Sequence, residues 1–351
     1  ASGKYALRYN TTASNNTAVG GCSLFNNING PGGTAVGYHA LKANTSGAYN
    51  TSVGSYSLAN NTTAGENAAF GNNALYTNTT GAQNTAVGGY AALYATTTGC
   101  QNAAFGFKAL VANTCGNENT ASGAYSLFSN TTGSCNTAYG GESLYNNTTG
   151  HRNTAVGVRA LNNNTTSSYN TALGTCALYA NTGYDNTAIG FRTLVTNTSG
   201  IRNTASGKYA LRDNTTGQKN TAIGTYALMK NTTASYNTGS GTYSLYNNTT
   251  GNDNTASGYK ALFCNTTASY NAAFGKNALK VNTTGSKNTA LGTFTLLANS
   301  TGDHNTASGY RALGSNTTGC FNTASGYVAL VNNTTGCYNT AIGRKALLDN
   351  T

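Results

Sequence analysis

The chain contains few charged residues, and several other residue types are scarce or missing. Of its 351 residues, 19 are Lys or Arg and 8 are Asp or Glu, and there is one Pro, one Met and no Trp. A globular enzyme is usually about one quarter charged, so the composition disfavours that class. No apolar run approaches the ~20 residues of a membrane-spanning helix, and residues 1–9 lack the apolar core of a signal peptide.

Glycine, in contrast, is abundant and periodic. It recurs every 17 residues from Gly3 to Gly343, with one extra residue at 91–93 and one missing residue near 181–183. One repeat reads N-T-A-x-G-x-x-A-L-x-x-N-T-T-G-x-x, and the chain holds 21 such repeats. Short tandem repeats are typical of solenoids and fibres. We therefore predict a single uninterrupted array over residues 1–351 and, since both termini fall inside a repeat, a segment of a longer fibre.

The composition of one repeat predicts an all-β fold. Gly, Asn and Thr are poor helix formers, and no apolar stripe of helical period is present. Residues 16–20 (N-T-A-V-G) read as a strand, residues 38–41 (Y-H-A-L) as a second extended segment, and residues 78–81 (N-T-T-G) as a turn. We predict a β-solenoid, similar to a β-roll, whose 21 coils of 17 residues stack at ~4.8 Å into a rod of about 100 Å.

One leucine in each repeat is the expected core residue. It follows the periodic glycine by four residues, or by five after Gly88, in all 21 repeats. Alternation along the strand places Asn, Ala and Gly on one face and Thr with the variable residue on the other. The predicted core ladder is represented by Leu7, Leu41, Leu75, Leu110, Leu161, Leu211, Leu262, Leu313 and Leu347.

The repeat resembles two groups of fibrous proteins. N-T-A-x-G, followed by A-L and N-T-T-G, is similar to repeats of phage tail-fibre-like and bacterial surface fibre proteins, many of which end in a self-cleaving chaperone domain. It also resembles, more distantly, the N-S-x-A-x-G repeats in the heads of trimeric autotransporter adhesins, which form β-rolls. Their period is 14 rather than 17, so trimerisation does not follow from the likeness. The resemblance implies a fibre at a cell or virion surface.

The reactive residues are dispersed, and the sequence predicts neither catalytic residues nor a metal or cofactor site. The eight carboxylates are at least 24 residues apart, and His39, His151 and His304 lie many repeats from one another. A zinc site needs clustered Cys and His, and a calcium site needs several oxygen ligands including carboxylates. The segment 30–33 lacks the Lys-Ser/Thr of a phosphate-binding loop. We expect a protein that is not an enzyme.

Two kinds of covalent modification are predicted from spacing. Cys320 and Cys337 are one period apart, and Cys100 and Cys115 fall in neighbouring coils, so both pairs are candidate disulfides. Disulfides would indicate an oxidising, extracellular location. Asn-x-Ser/Thr sequons recur along the chain and could carry glycans, or these asparagines could form an inward ladder of hydrogen-bonded amides. The candidate glycosylation sites are Asn44, Asn61, Asn78, Asn130, Asn147, Asn214, Asn231, Asn248, Asn282, Asn316 and Asn333.

These features favour a structural or adhesive extracellular fibre or filament subunit. A carbohydrate- or receptor-binding tail-fibre module is one alternative, because Tyr rings can contact sugars; an ice-binding solenoid with Thr ladders is another. The net charge of +11, spread along a rod, is no nucleic-acid stripe. It reads as a solvated rim or a site for acidic polysaccharide. The expected partners are further copies of the chain, end to end or as a homotrimer, and covalent glycans or polysaccharide; no nucleic acid or membrane span is expected.

Overall fold

The computed structural model describes residues 1–350, in which short parallel strands alternate with turns and no helix occurs. It confirms the all-β class and the β-solenoid with one coil per 17-residue repeat. The chain divides into two compact units, Ala1–Thr175 and the described part of Cys176–Thr351. Each unit is described by itself.

Both units consist of ten strands, nearly all of three residues. The first unit contains β1 (Thr17–Val19), β2 (Thr34–Val36), β3 (Thr51–Val53), β4 (Ala68–Asn72), β5 (Thr85–Tyr90), β6 (Ala103–Phe105), β7 (Thr120–Ser122), β8 (Thr137–Tyr139), β9 (Thr154–Val156) and β10 (Thr171–Leu173). The second contains β11 (Thr187–Ile189), β12 (Thr204–Ser206), β13 (Thr221–Ile223), β14 (Thr238–Ser240), β15 (Thr255–Ser257), β16 (Ala272–Phe274), β17 (Thr289–Leu291), β18 (Thr306–Ser308), β19 (Thr323–Ser325) and β20 (Thr340–Ile342).

Strands of neighbouring coils pair in parallel with equivalent residues opposite one another. In the first unit β1 pairs with β2 so that Thr17 faces Thr34 and Ala18 faces Ala35, and β12 pairs with β13 in the same register in the second unit. The middle residue of each three-residue strand is buried, and its two neighbours point outward. This matches the face assignment predicted from the alternation of the repeat.

The second predicted strand of each coil is not formed, and this expectation is wrong. Residues 38–41 form a turn in which His39 and Leu41 have φ angles of 57° and 50°. Ala40 and Leu41 are adjacent, yet both are completely buried. In an extended strand one of the two would face outward. The alternation of left-handed and right-handed residues curls the backbone, so two consecutive side chains enter the core.

The leucine ladder lies where the sequence predicts it. The leucines from Leu24 to Leu330, one in each coil, are fully buried, together with the alanine that precedes most of them. The two outermost members differ, because their coils are the first and last of the chain. Leu7 is half-buried, and Leu347 is 48% exposed.

Substitution of one ladder leucine tests this core. Leu161→Asn should lower the free energy of unfolding of its coil by roughly 2–5 kcal/mol, because it removes buried apolar volume and buries an amide. Val158→Asn is the control in the same coil, since Val158 is 52% exposed. Amide hydrogen exchange of residues 150–170 measures the difference, and equal exchange in the two variants would contradict the buried ladder.

The extra residue at 91–93 is absorbed locally. Strands β4 and β5 are longer than the others, and their register shifts after Phe70 opposite Val87, so that Asn72 faces Tyr90. Beyond the insertion, Leu93 returns to the core with a φ of 50°, like the other ladder leucines. The insertion therefore changes one coil and leaves the repeat register of the next one intact.

Candidate functional site

The interior of each unit contains a ladder built from the first asparagine of N-T-T. Asn147 is typical: its Nδ2 donates to Asn130 Oδ1 at 2.8 Å and to the carbonyl oxygen of Gly150 at 3.0 Å. Its Oδ1 accepts from Asn164 Nδ2 at 2.9 Å. Each amide therefore links three consecutive coils. The buried, uncharged amides are hydrogen-bonded to one another, as buried polar groups must be.

This geometry corrects the glycosylation prediction. All eleven candidate asparagines are buried, with at most 1% of their surface exposed, because each side chain turns inward to the ladder. A glycan on Nδ2 would replace a hydrogen-bonding proton and would have no path to solvent. The inward ladder, not the outward sheath, accounts for Asn44, Asn61, Asn78, Asn130, Asn147, Asn214, Asn231, Asn248, Asn282, Asn316 and Asn333.

A second buried ladder uses the asparagine of N-T-A. The backbone N–H of Asn136 donates to Asn119 Oδ1 at 3.0 Å, and Asn136 Nδ2 donates to the carbonyl oxygen of Gly150 at 2.8 Å. In the second unit Asn220 bonds in the same way to Asn203 and to the carbonyl oxygen of Ala234. Gly150 thus accepts from both ladders, which ties the turn of one coil to the strand entry of another.

The first ladder is interrupted in the coil that carries the insertion. Thr96 stands where the repeat has asparagine, and both Thr96 Oγ1 and Asn78 Oδ1 are buried without a hydrogen-bond partner. The shorter hydroxyl side chain does not reach the amide oxygen of the preceding coil. Two buried polar atoms without partners make this the weakest point of the ladder.

Repairing the interruption should stabilise the protein. In Thr96→Asn the new Nδ2 can donate to Asn78 Oδ1, as Asn78 donates to Asn61, and we expect a gain of about 1–3 kcal/mol in the free energy of unfolding. Thr98→Asn, at an exposed position of the same turn, should change it by less than ~0.5 kcal/mol. Chemical denaturation compares the two, and an unchanged midpoint for Thr96→Asn would refute the explanation.

Neither predicted disulfide is formed, since all eight cysteines have free thiols. Cys320 and Cys337 do occupy equivalent positions, and the backbone N–H of Cys320 donates to Cys337 Sγ at 3.1 Å. Each thiol turns to a carbonyl oxygen of its own coil, that of Thr318 or Thr335.

Cys100 and Cys115 are out of register. The backbone N–H of Cys100 donates to Asn117 Oδ1 at 2.8 Å, so Asn117 is its neighbour in the next coil. Cys115 lies two residues earlier, in the turn. Placement in neighbouring coils is therefore insufficient to bring these two sulfur atoms together without a shift of the backbone.

A shallow depression in the first unit is lined by hydroxyl, thiol, imidazole, guanidinium and phenol side chains. The lining residues are Ser134, Cys135, His151, Arg152, Ser168 and Tyr169.

These side chains are engaged with neighbouring coils. His151 Nδ1 accepts the backbone N–H of Ser134 at 2.9 Å, and Arg152 donates to the Tyr169 hydroxyl at 2.8 Å. Burial, followed by the hydrogen bond to Glu118, raises the pKa of the Cys135 thiol. A raised pKa lowers the fraction of thiolate, which is the form in which a cysteine acts as a nucleophile.

The outer face of the strands is uncharged. It consists of two rows of side chains: the first residue of each strand, usually Thr, forms the threonine row, and the third residue forms the variable row. None of the twenty strands in residues 1–350 contains a charged side chain. The variable row changes from Val36 to Phe105, Ser122 and Tyr139, so its height differs from coil to coil. Ice binding requires a flat face, so this uneven surface disfavours the ice-binding alternative, which stays a prediction.

An aromatic ridge lies on the outside of the turns in the second unit. We define it as Tyr209, Tyr226, Tyr243, Tyr246 and Phe263. The first three occupy the same position in consecutive coils and stack with ring centroids 5.6 and 5.0 Å apart. Tyr246 and Phe263 form a parallel row at 5.2 Å, and Tyr243 joins the rows at 5.5 Å from Tyr246. All five side chains are half-buried.

Cations lie over the rings of this ridge. Lys208 Nζ is 5.3 Å from the centroid of Tyr209, Lys230 Nζ is 5.3 Å from that of Tyr246, and Lys260 Nζ is 5.5 Å from that of Phe263. These distances are within the range of cation–π attraction.

The fourth cation, Arg212, is already paired. Its guanidinium binds the adjacent carboxylate of Asp213 at 2.6 and 2.8 Å, and this hydrogen bond raises the pKa of Arg212. Lys208, Lys230 and Lys260 have no salt bridge to any carboxylate within residues 1–350. The sequence alone could not show that these aromatic and basic residues meet, because the predicted second strand gave the turn the wrong geometry.

Residues 1–350 contain no group of three or more His, Cys, Asp or Glu side chains arranged to hold a metal ion. Over the same residues there is no helix long and apolar enough to cross a membrane. In comparisons with known proteins, no family model matches the chain and no curated protein is significantly similar to it.

Proposed function

We propose that the protein is a structural or adhesive extracellular fibre, displayed at a cell or virion surface, and that it acts without catalysis. The observation that carries the proposal is the pair of asparagine ladders. A core that links every coil to its neighbours by hydrogen bonds suits a protein whose role is to remain extended and intact.

The direction of the bonds supports this role. Backbone bonds such as Leu127 N–H to the Ser143 carbonyl and Thr131 N–H to the Thr148 carbonyl join successive coils at 3.0 and 2.9 Å. The side-chain bond that Asn147 Nδ2 donates to Asn130 Oδ1, at 2.8 Å, joins successive coils as well. Separating two coils requires these bonds to break together, so a pulling force along the stack is shared among them.

The variable positions supply the remaining argument. Interior positions are nearly uniform from coil to coil, whereas the turns carry Tyr, Lys, Arg, Cys and His in changing combinations. A constant interior with a variable surface fits a scaffold that presents side chains at regular intervals. The buried asparagines remove the glycan coat at the eleven sequons from this proposal.

Immunoelectron microscopy of the producing cells or particles tests the proposal. Antibodies raised against the purified chain should label filaments that project from the surface, and cells that lack the gene should show neither label nor filaments. Labelling confined to the cell interior, or filaments that persist without the gene, would overturn it.

A further inference from the structure

We propose that the aromatic ridge of the second unit, with Lys208, Lys230 and Lys260, binds an anionic polysaccharide whose charges are uronic acid carboxylates. This goes beyond the filament role, since a filament needs no ligand on its turns. Its failure would leave the filament proposal intact.

The charge of the ridge favours an anion. Of the four cations at the ridge, Arg212 is neutralised by Asp213, which leaves the three lysines. Each ammonium group rests over a ring and is shielded from water on that side. Its open side can contact a carboxylate, and the compact ammonium charge suits this small anion, whereas bidentate phosphate recognition favours a free guanidinium.

The ring arrangement distinguishes a sugar polymer from a nucleic acid. Tyr226 is stacked between Tyr209 and Tyr243, with interplanar angles of 18° and 16°, and Tyr243 also has edge-on contacts with Tyr246 and Phe263. Bases of single-stranded nucleic acid bind by stacking on open faces, and this ridge offers few. Its half-buried side chains include four phenol hydroxyls, which donate and accept hydrogen bonds as the hydroxyls of a sugar do.

The repeat length fits a polymer of single sugars. Coils follow one another at ~4.8 Å, and this is close to the length that one pyranose adds to an extended chain. Tyr209, Tyr226 and Tyr243 occupy successive coils, so one sugar can lie against each coil. Several weak contacts on one polymer then act together, and binding gains strength from multivalency.

Calorimetric titration of the whole chain with an oligogalacturonate at low salt tests the inference. Binding should be saturable and should weaken as salt is added. The double variant Lys230→Gln/Lys260→Gln should bind about tenfold more weakly or worse. Lys219→Gln/Lys287→Gln removes the same charge from exposed positions outside the ridge and should bind as the unchanged protein does.

A second pair of variants tests the hydroxyls. Tyr226→Phe/Tyr243→Phe keeps the stacked rings and should lower the affinity several-fold, while the melting temperature stays the same. Equal losses in the two lysine variants would reduce the effect to net charge and overturn the proposal. So would comparable binding of a neutral polysaccharide, or tighter binding of a single-stranded oligonucleotide at the same salt concentration.

Discussion

Gly140→Ala should unfold the coils around it, whereas Gly141→Ala should leave them folded. Gly140 has a φ of +128°, and a Cβ there would lie 2.7 Å from both the carbonyl carbon and the carbonyl oxygen of Gly157 in the next coil. The obstacle is backbone, so no side chain can rotate away. Overpacking costs about 1–3 kcal/mol, and a disfavoured φ adds about 1–3 kcal/mol.

The neighbouring glycine is a close control. A Cβ on Gly141 would meet only the carbonyl oxygen of Ala124, at an ordinary 3.9 Å. Amide hydrogen exchange across residues 120–175 should therefore accelerate in Gly140→Ala and remain unchanged in Gly141→Ala. Similar exchange in the two variants would show that the glycine column is not a close-packed seam.

Asn147→Asp should lower the free energy of unfolding by a similar amount, and this loss should depend on pH. The side chain is fully buried, and its Nδ2 donates to Asn130 Oδ1 and to the carbonyl oxygen of Gly150. A carboxylate would leave Asn130 Oδ1 without a donor, at about 1–3 kcal/mol, and would remove one of the two donors to the Gly150 carbonyl oxygen. It would also add the cost of burying a charge.

The sign of the pH dependence follows from burial. Desolvation raises the pKa of the introduced carboxyl in the folded state above its unfolded value of ~3.9. The variant is therefore least destabilised below that unfolded value, where the neutral acid can donate a hydrogen bond. It loses stability as the pH rises through the folded pKa. Melting curves at several pH values check this, with Thr149→Asp as the exposed control. A loss of stability that grows as the pH is lowered would contradict the ladder geometry.

The sequence allowed the architecture to be predicted because its strongest signals are periodic. Leu161 and Gly157 recur with their equivalents every 17 residues, and stacking of identical positions is the simplest arrangement that explains such a period. Ala155 in its strand was placed inside by alternation alone, and it is fully buried. These conclusions needed only the repeat length and the two-residue period of a strand.

The errors arose where the backbone departs from a strand. Leucine rarely adopts a positive φ, yet Leu41 has one of 50°, and no composition rule anticipates it. The left-handed residues allow Ala40 and Leu41 to face inward together, which a strand forbids. The same local geometry brings Tyr243 next to Tyr246 within one coil. A pattern read as strand and corner could not show this ridge.

The direction of the asparagines was also undetermined by sequence. N-T-T-G fits both an exposed turn and an inward amide ladder, because asparagine suits turns and can also pair with itself. The orientation of each asparagine depends on whether the preceding coil offers its side-chain amide a hydrogen-bond acceptor. Asn147 finds one in Asn130, whereas Thr96 leaves one unused.

Identical register has a genetic consequence. Because the interior contacts join equivalent positions of adjacent coils, as Ala205 with Ala222, removing or duplicating one complete coil leaves new neighbours that fit one another. Unequal recombination between repeats can therefore alter the copy number without passing through a misfolded intermediate. Length becomes a trait that selection can adjust in increments of ~4.8 Å, while a change of one residue, as at 91–93, leaves a lasting local defect.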